Sequence, residues 1–138
     1  MTTARDIMHL GATCVDEHDT IASAAQRMRD LDIGALPVCG DNDRLHGILT
    51  DRDIVVRCVA EGLDPLTVSV GRLVCARPVT VEPDTDVKDV LYLMEEHRIR
   101  RLPVIDRHRL VGMISEADLA RNMPGEAVGH FVRAVCTR

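Results

Sequence analysis

Ile33-Gly34-Ala35-Leu36-Pro37-Val38 returns 66 residues later as Ile99-Arg100-Arg101-Leu102-Pro103-Val104. An internal repeat governs the reading of the whole fold. Working outward at the same shift, Val15 meets Val81, Met28 meets Met94, Ile7 meets Leu73 and Met8 meets Val74. Beyond the quoted run the shift drops to 65, so that Arg44-Leu45 meets Arg109-Leu110, Gly47 meets Gly112 and Asp53 meets Asp118. The lost residue falls in Gly40-Asp41-Asn42-Asp43, which is turn chemistry.

Each copy carries the same hydrophobic pattern. Thr13-Cys14-Val15 reads as a short strand, and Asp19 or Thr20 caps the helix after it. Ile21, Ala24, Ala25, Met28 and Leu31 line one face of that helix. Leu36–Cys39 is a second strand whose proline suggests an edge or a strand start, and Leu45–Leu49 is a third. Thr50 opens a second helix to about Glu61, with Gly62 as its C-cap. The second copy repeats this as Val79–Val81, a helix bearing Val87, Val90, Leu91 and Met94, strands Leu102–Ile105 and Leu110–Ile114, and a helix from Ser115. A last amphipathic helix from Pro124 presents Val128, Phe131, Val132 and Val135. The expected class is α+β: two tandem β-α-β-β-α motifs packed about a pseudo-twofold axis, because neither copy has enough core alone. Chain order divides it into 1–64 (first motif with the lead-in), 65–122 (second motif) and 123–138 (C-terminal helix).

These residues carry a family resemblance. The lead-in Arg5-Asp6-Ile7-Met8, the two runs quoted above, and the closers Gly47-Ile48-Leu49-Thr50-Asp51-Arg52-Asp53 and Gly112-Met113-Ile114-Ser115-Glu116-Ala117-Asp118 resemble, in order and duplication, a pair of CBS domains over essentially the full chain. Met1 to Met8, Asp43 to Gly47, Leu49 to Val55, Met94 to His97 and His108 to Gly112 are similar, more closely, to stand-alone actinobacterial pairs. That implies a link to low oxygen and dormancy and supplies no biochemical activity.

The resemblance implies an adenosine-type ligand (AMP, ADP, ATP or S-adenosylmethionine) between the copies, with no cofactor required. Thr50/Asp53 and Ser115/Asp118 would hold ribose and phosphate, since a carboxylate accepts two hydrogen bonds from a cis-diol. The same spacing is also a helix capping box, and both readings stand. Arg101 matches a phosphate contact of the family, just before Leu102 and Pro103, whereas the first copy has Ala35. Arg98, Arg100 and Arg101 equally suit a solvated basic patch. Val15 and Val81 would flank adenine, although they are core candidates first. CBS pairs usually form homodimers, and output would pass to a protein partner still unknown.

Cys14 and Cys39 sit on neighbouring parallel strands of one strand–helix–strand unit. Two such residues can meet the ~5.5 Å Cα separation of a disulfide. The bond would close a loop of about 25 residues, stabilising by roughly 3 kcal/mol in the chain-entropy model. The alternative is two unpaired thiols on opposite sheet faces. The remaining cysteines, Cys58, Cys75 and Cys136, form no Cys-x-x-Cys.

Composition closes other classes. A net charge of −5 and 1% aromatics argue against nucleic acid. No apolar run reaches the ~18 residues of a membrane span. The polar start Met1-Thr2-Thr3-Ala4-Arg5-Asp6 gives no secretory signal, which points to the cytoplasm, with non-classical export as the variant. No catalytic Ser/His/Asp set or Gly-rich phosphate loop occurs, so the protein reads as non-enzymatic. Among six histidines only His97, at a helix end, is a metal candidate, and a weak one. The rival to a ligand-binding regulatory module is a nucleotide-free, redox-stapled structural or stress-response dimer.

Overall fold

The computed structural model describes residues 1–10, 13–74 and 78–136. Cys75 lies outside them. The chain forms two compact units, Met1–Gly11 with Val79–Arg138 and Ala12–Pro78, and both mix helix and strand as expected.

In the unit of the first repeat, β1 (Val15–Asp16) runs parallel to β2 (Ala35–Cys39), which pairs antiparallel with β3 (Leu45–Thr50). β1 is shorter than the expected 13–15 strand and begins later. Between β1 and β2 runs the helix α2 (Ile21–Leu31). Thr20, not Asp19, is its cap: Ser23 N–H donates to Thr20 Oγ1 at 3.1 Å. Asp19 instead accepts from Asp16 N–H in the preceding turn. Ile21, Ala24 and Met28 enter the core, while Leu31, in the last turn, is 54% exposed. Pro37 lies in the middle strand, not at an edge. β1 pairs only from Val38 onward, so the missing proline N–H costs no ladder bond on that side.

After β3 the backbone makes α3 (Asp51–Asp53) and then a π-helical stretch over Ile54–Val59, where an α-helix to Glu61 was expected. Ile54, Val55, Val56 and Val59 are β-branched, which weakens α-helical preference. The wider turn shows in Ala60 N–H donating to Val55 C=O and Leu63 N–H to Cys58 C=O. Gly62 ends it with φ 72°, the left-handed conformation glycine adopts without steric cost.

The second repeat keeps the plan with local changes. α5 (Val87–His97) buries Val87, Val90 and Met94. β4 (Arg101–Asp106) and β5 (Arg109–Ser115) form a hairpin closed by Arg107 and His108, both at positive φ. The first repeat spends one more residue here, on a 3₁₀ turn over Asp41–Asp43, where the gap was placed. Both hairpins carry a register shift at the same point, Val38/Cys39 and Val104/Ile105. Val79–Val81 is not a strand: only Val81 bridges, in parallel, to Val104. α6 (Glu116–Asn122) follows β5, and α7 (Gly125–Cys136) ends the described chain. Phe131 of α7 is buried in the second core, while Val132 is exposed rather than part of the apolar stripe.

The core residues do not group as 1–64, 65–122 and 123–138. The lead-in helix α1 (Ala4–Ile7) precedes the first repeat but packs with the second: Ala4 and Ile7 join the core of Val90, Met94, Leu102 and Leu119. Ala4 and Arg5 N–H donate to Thr85 and Pro83 C=O, and His9 and Met113 exchange backbone bonds at 2.9 and 3.1 Å. Gly112 leaves the room this requires, since a Cβ there would strike the Met8 side chain. The equivalent α4 (Val70–Leu73) precedes the second repeat and packs with the first, where Val70 and Leu73 join Val15, Ile21 and Leu36. Val70 and Gly71 N–H donate to Asp19 and Glu17 C=O. Each four-residue helix thus carries its apolar side chains into the core of the other repeat's sequence. α7 belongs to the compact unit of the second repeat, where Phe131 fills the core.

Candidate functional site

The two Thr/Ser-x-x-Asp motifs fold into capping boxes. Thr50 N–H donates to Asp53 Oδ2 at 2.9 Å, and Asp53 N–H returns to Thr50 Oγ1 at 3.1 Å. Ser115 N–H donates to Asp118 Oδ2 at 2.8 Å, with Asp118 N–H to Ser115 Oγ at 3.4 Å. Thr3 and Asp6 repeat the same back-bond at the start of α1. The cap reading therefore holds at both motifs.

The two carboxylates nevertheless differ. Asp53 is half-buried and its bonds are those of its own cap. Asp118 is 2% exposed, the buried charged residue of the described core. Beyond the Ser115 N–H, its Oδ2 accepts from Ser115 Oγ at 3.0 Å and from His9 Nδ1 at 2.7 Å. Its Oδ1 accepts from Arg121 Nη2 at 2.8 Å. Desolvation pushes the Asp118 carboxyl up, but the hydrogen bonds from His9 and Ser115 outweigh it and hold the group below the usual carboxylate range. An ionised carboxylate only accepts, so His9 Nδ1 carries the proton of this bond.

Arg101 opens β4 directly opposite Ser115 in the β4–β5 register. Ala35 faces Thr50 in the same way in the first repeat. The basic run resolves into different roles. Arg98 is the left-handed C-cap of α5, and Arg100 Nε pairs with Glu116 Oε1 at 3.1 Å. Arg101 has no carboxylate partner among the described residues and is half-buried. Leu102 and Pro103 are buried behind it, and Val81 belongs to the same core. Val15 is buried in the other. Those four side chains fill cores and offer little surface to a ligand. The second repeat thus brings together Arg101, Ser115 and Asp118, and the first brings together Thr50 and Asp53 without a cation.

Sequence reading missed His9 and Arg121. Arg121 had a signal, its i, i+3 spacing from Asp118 on one helix. His9 had none, being 109 residues away from its partner.

Cys14 lies just before β1 rather than on it, and still meets Cys39 at the end of β2, with Cα atoms 5.6 Å apart and sulfurs in bonding reach. Arg27 Nη1 donates to Cys14 C=O at 3.1 Å and steadies that side of the pair. Cys58 is buried and Cys136 exposed, both unpaired. His97 is exposed at the end of α5, and no group of three or more His, Cys, Asp or Glu side chains suited to a metal forms among the described residues. No helix among them is long and apolar enough to cross a membrane.

The chain is similar to proteins across bacteria and archaea. Hypoxic response protein 1 of Mycobacterium tuberculosis is 56% identical over 137 residues, 99% of this chain and 96% of that protein. The CBS domain-containing protein YhcV of Bacillus subtilis is 38% identical, covering 94% of this chain and 91% of its own length. A crystal structure of Hypoxic Response Protein I with two coordinated zinc ions aligns with TM-score 0.82 and 57% identity over 89% of this chain and all of that one. The CBS domain protein TA0289 of Thermoplasma acidophilum, of unknown function, aligns with TM-score 0.85 and 27% identity over 99% of this chain and 78% of its own. The CBS domain profile matches twice, at residues 4–59 and 70–125, so the period of 66, the paired capping boxes and the exchanged lead-in helices are those of a tandem pair, and the chain belongs to the CBS-domain family.

Proposed function

We propose that this CBS pair is a non-enzymatic regulatory module that binds an adenosine-type nucleotide beside Arg101, Ser115 and Asp118. The observation that carries this reading is Arg101. It is a half-buried cation with no acid partner among the described residues, set across the sheet from the Ser115 hydroxyl. A nucleotide phosphate supplies the anion such a guanidinium lacks. Binding would favour one arrangement of the module, and the change would pass to a partner or to a second copy of the chain. Exposed Val55 and Val59 on the π-helical turn and Tyr92 on α5 supply apolar surface for a homodimer. The similarity to a hypoxic response protein supports a role under low oxygen.

The test is calorimetry with AMP, ADP, ATP and S-adenosylmethionine on the wild-type chain and on Arg101→Ala. Saturable binding that weakens at least tenfold in the variant supports the reading (tenfold is about 1.4 kcal/mol). No binding by the wild type removes it.

A second reading has its own observation, the Cys14–Cys39 pair. In it the pair is a disulfide in the cell, and the protein acts as a nucleotide-free, redox-stapled dimer through protein partners. Mass mapping of protein alkylated before lysis distinguishes this: a bonded Cys14–Cys39 peptide supports it, and two alkylated thiols remove it.

A further inference from the structure

We propose that His9 is a built-in competitor for the nucleotide at the second repeat, so that docking of the N-terminal segment and occupation of Asp118 by a ribose exclude one another. The inference rests on the nucleotide reading above and adds its regulation.

A carboxylate offers about four acceptor positions. At Asp118 they are unevenly filled: Oδ2 accepts from Ser115 N–H, Ser115 Oγ and His9 Nδ1, and Oδ1 accepts from Arg121 Nη2 alone. The two Ser115 bonds are local to the cap and form wherever α6 forms. A cis-diol that donates one hydrogen bond to each oxygen must take the place of His9 on the filled Oδ2, and on Oδ1 it joins or replaces Arg121. Both can leave: their side chains are 50% and 68% exposed, against 3% for Asp118. Water can solvate either one after displacement, whereas Asp118 cannot be left without donors.

The two displaced groups have different consequences. Arg121 is on the same helix as Asp118, and its release changes nothing beyond α6. His9 belongs to the lead-in, and its imidazole ties that segment to α6, while its backbone bridges Met113 of β5. A ligand that removes the imidazole loosens residues 2–10. By linkage, anything that pulls the lead-in away raises the affinity for ligand by the same factor. The first repeat has no such plug among its described residues, because Asp53 carries only its cap bonds.

The experiment uses the full chain, AMP as probe, and the variants His9→Ala and His9→Gln, the latter keeping a donor in place. Calorimetry gives the affinity, and amide exchange follows residues 2–10 with and without AMP. The expected result is about tenfold tighter AMP binding by His9→Ala, near wild-type affinity for His9→Gln, and faster exchange of residues 2–10 when AMP is added to wild type. Equal affinities with unchanged exchange overturn the competition and leave the nucleotide reading standing. No AMP binding by wild type or either variant removes the reading and the competition together.

Discussion

The two repeats place an aspartate at the same point of the same capping box and use it differently. Asp53 caps its own helix and does nothing else among the described residues. Asp118 caps its helix, is buried, and also holds His9 of the lead-in and Arg121 of its own last turn. The first repeat has Cys14 and Cys39 side by side, where the second has Thr80 and Ile105 at the matching places. The second repeat holds a buried polar network, and the first brings two cysteines within bonding reach. Duplication preserved the backbone plan and the core positions, and the fastenings diverged.

The sharpest way to break this comparison is to cut each fastening. Asp118→Ala should lower stability by about 3 kcal/mol, because it strips the cap and leaves Ser115 and Arg121 without their acceptor. Asp53→Ala should cost only about 1 kcal/mol, the value of a cap. Urea unfolding of both variants checks this, and equal losses would erase the distinction. If the Cys14–Cys39 pair is bonded, reducing it should cost roughly 3 kcal/mol, from the 25-residue separation it spans. Amide exchange should then rise within 13–74 and not within 79–136. A Cys14→Ser chain should show no further change on adding reductant.

Acid should act on the second repeat through Asp118. Its folded carboxyl lies below the unfolded value of about 3.9, so its stabilisation is full above that pH and is lost as pH falls through the folded value. Unfolding curves of Asp118→Asn should therefore depend less on pH below about 4 than those of wild type. The smallest effect concerns the equivalent first caps. Thr20→Ala and Asp86→Ala should each cost about 1 kcal/mol, with Asp86→Ala more salt-sensitive because its charge also meets the helix dipole.

What could be read from sequence was what the repeat writes twice. The period, Met28 and Met94 on the buried faces of their helices, the capping boxes and the hairpin gap are all local patterns. One strand–helix–strand unit made the approach of Cys14 to Cys39 possible without deciding it, and Cys14 in fact lies just before β1. The exchange of α1 and α4 could not be read, since Ile7 and Leu73 look alike and nothing local says whose core they fill. The π-helical turn was hidden for a related reason: Ile54–Val59 is apolar but for Arg57, and no periodicity distinguishes a wider turn from an α-helix. His9 stayed invisible because a lone histidine carries no spacing, and its partner is at the other end of the chain.

The most direct measurement is a carbon-detected titration of the Asp118 carboxyl in wild type and in His9→Ala. If the carboxylate is committed to the lead-in, the wild-type midpoint lies below the usual carboxylate range and moves upward when His9 is removed. An identical midpoint in both chains would show that His9 does not hold Asp118, and the asymmetry between the repeats would lose its physical basis.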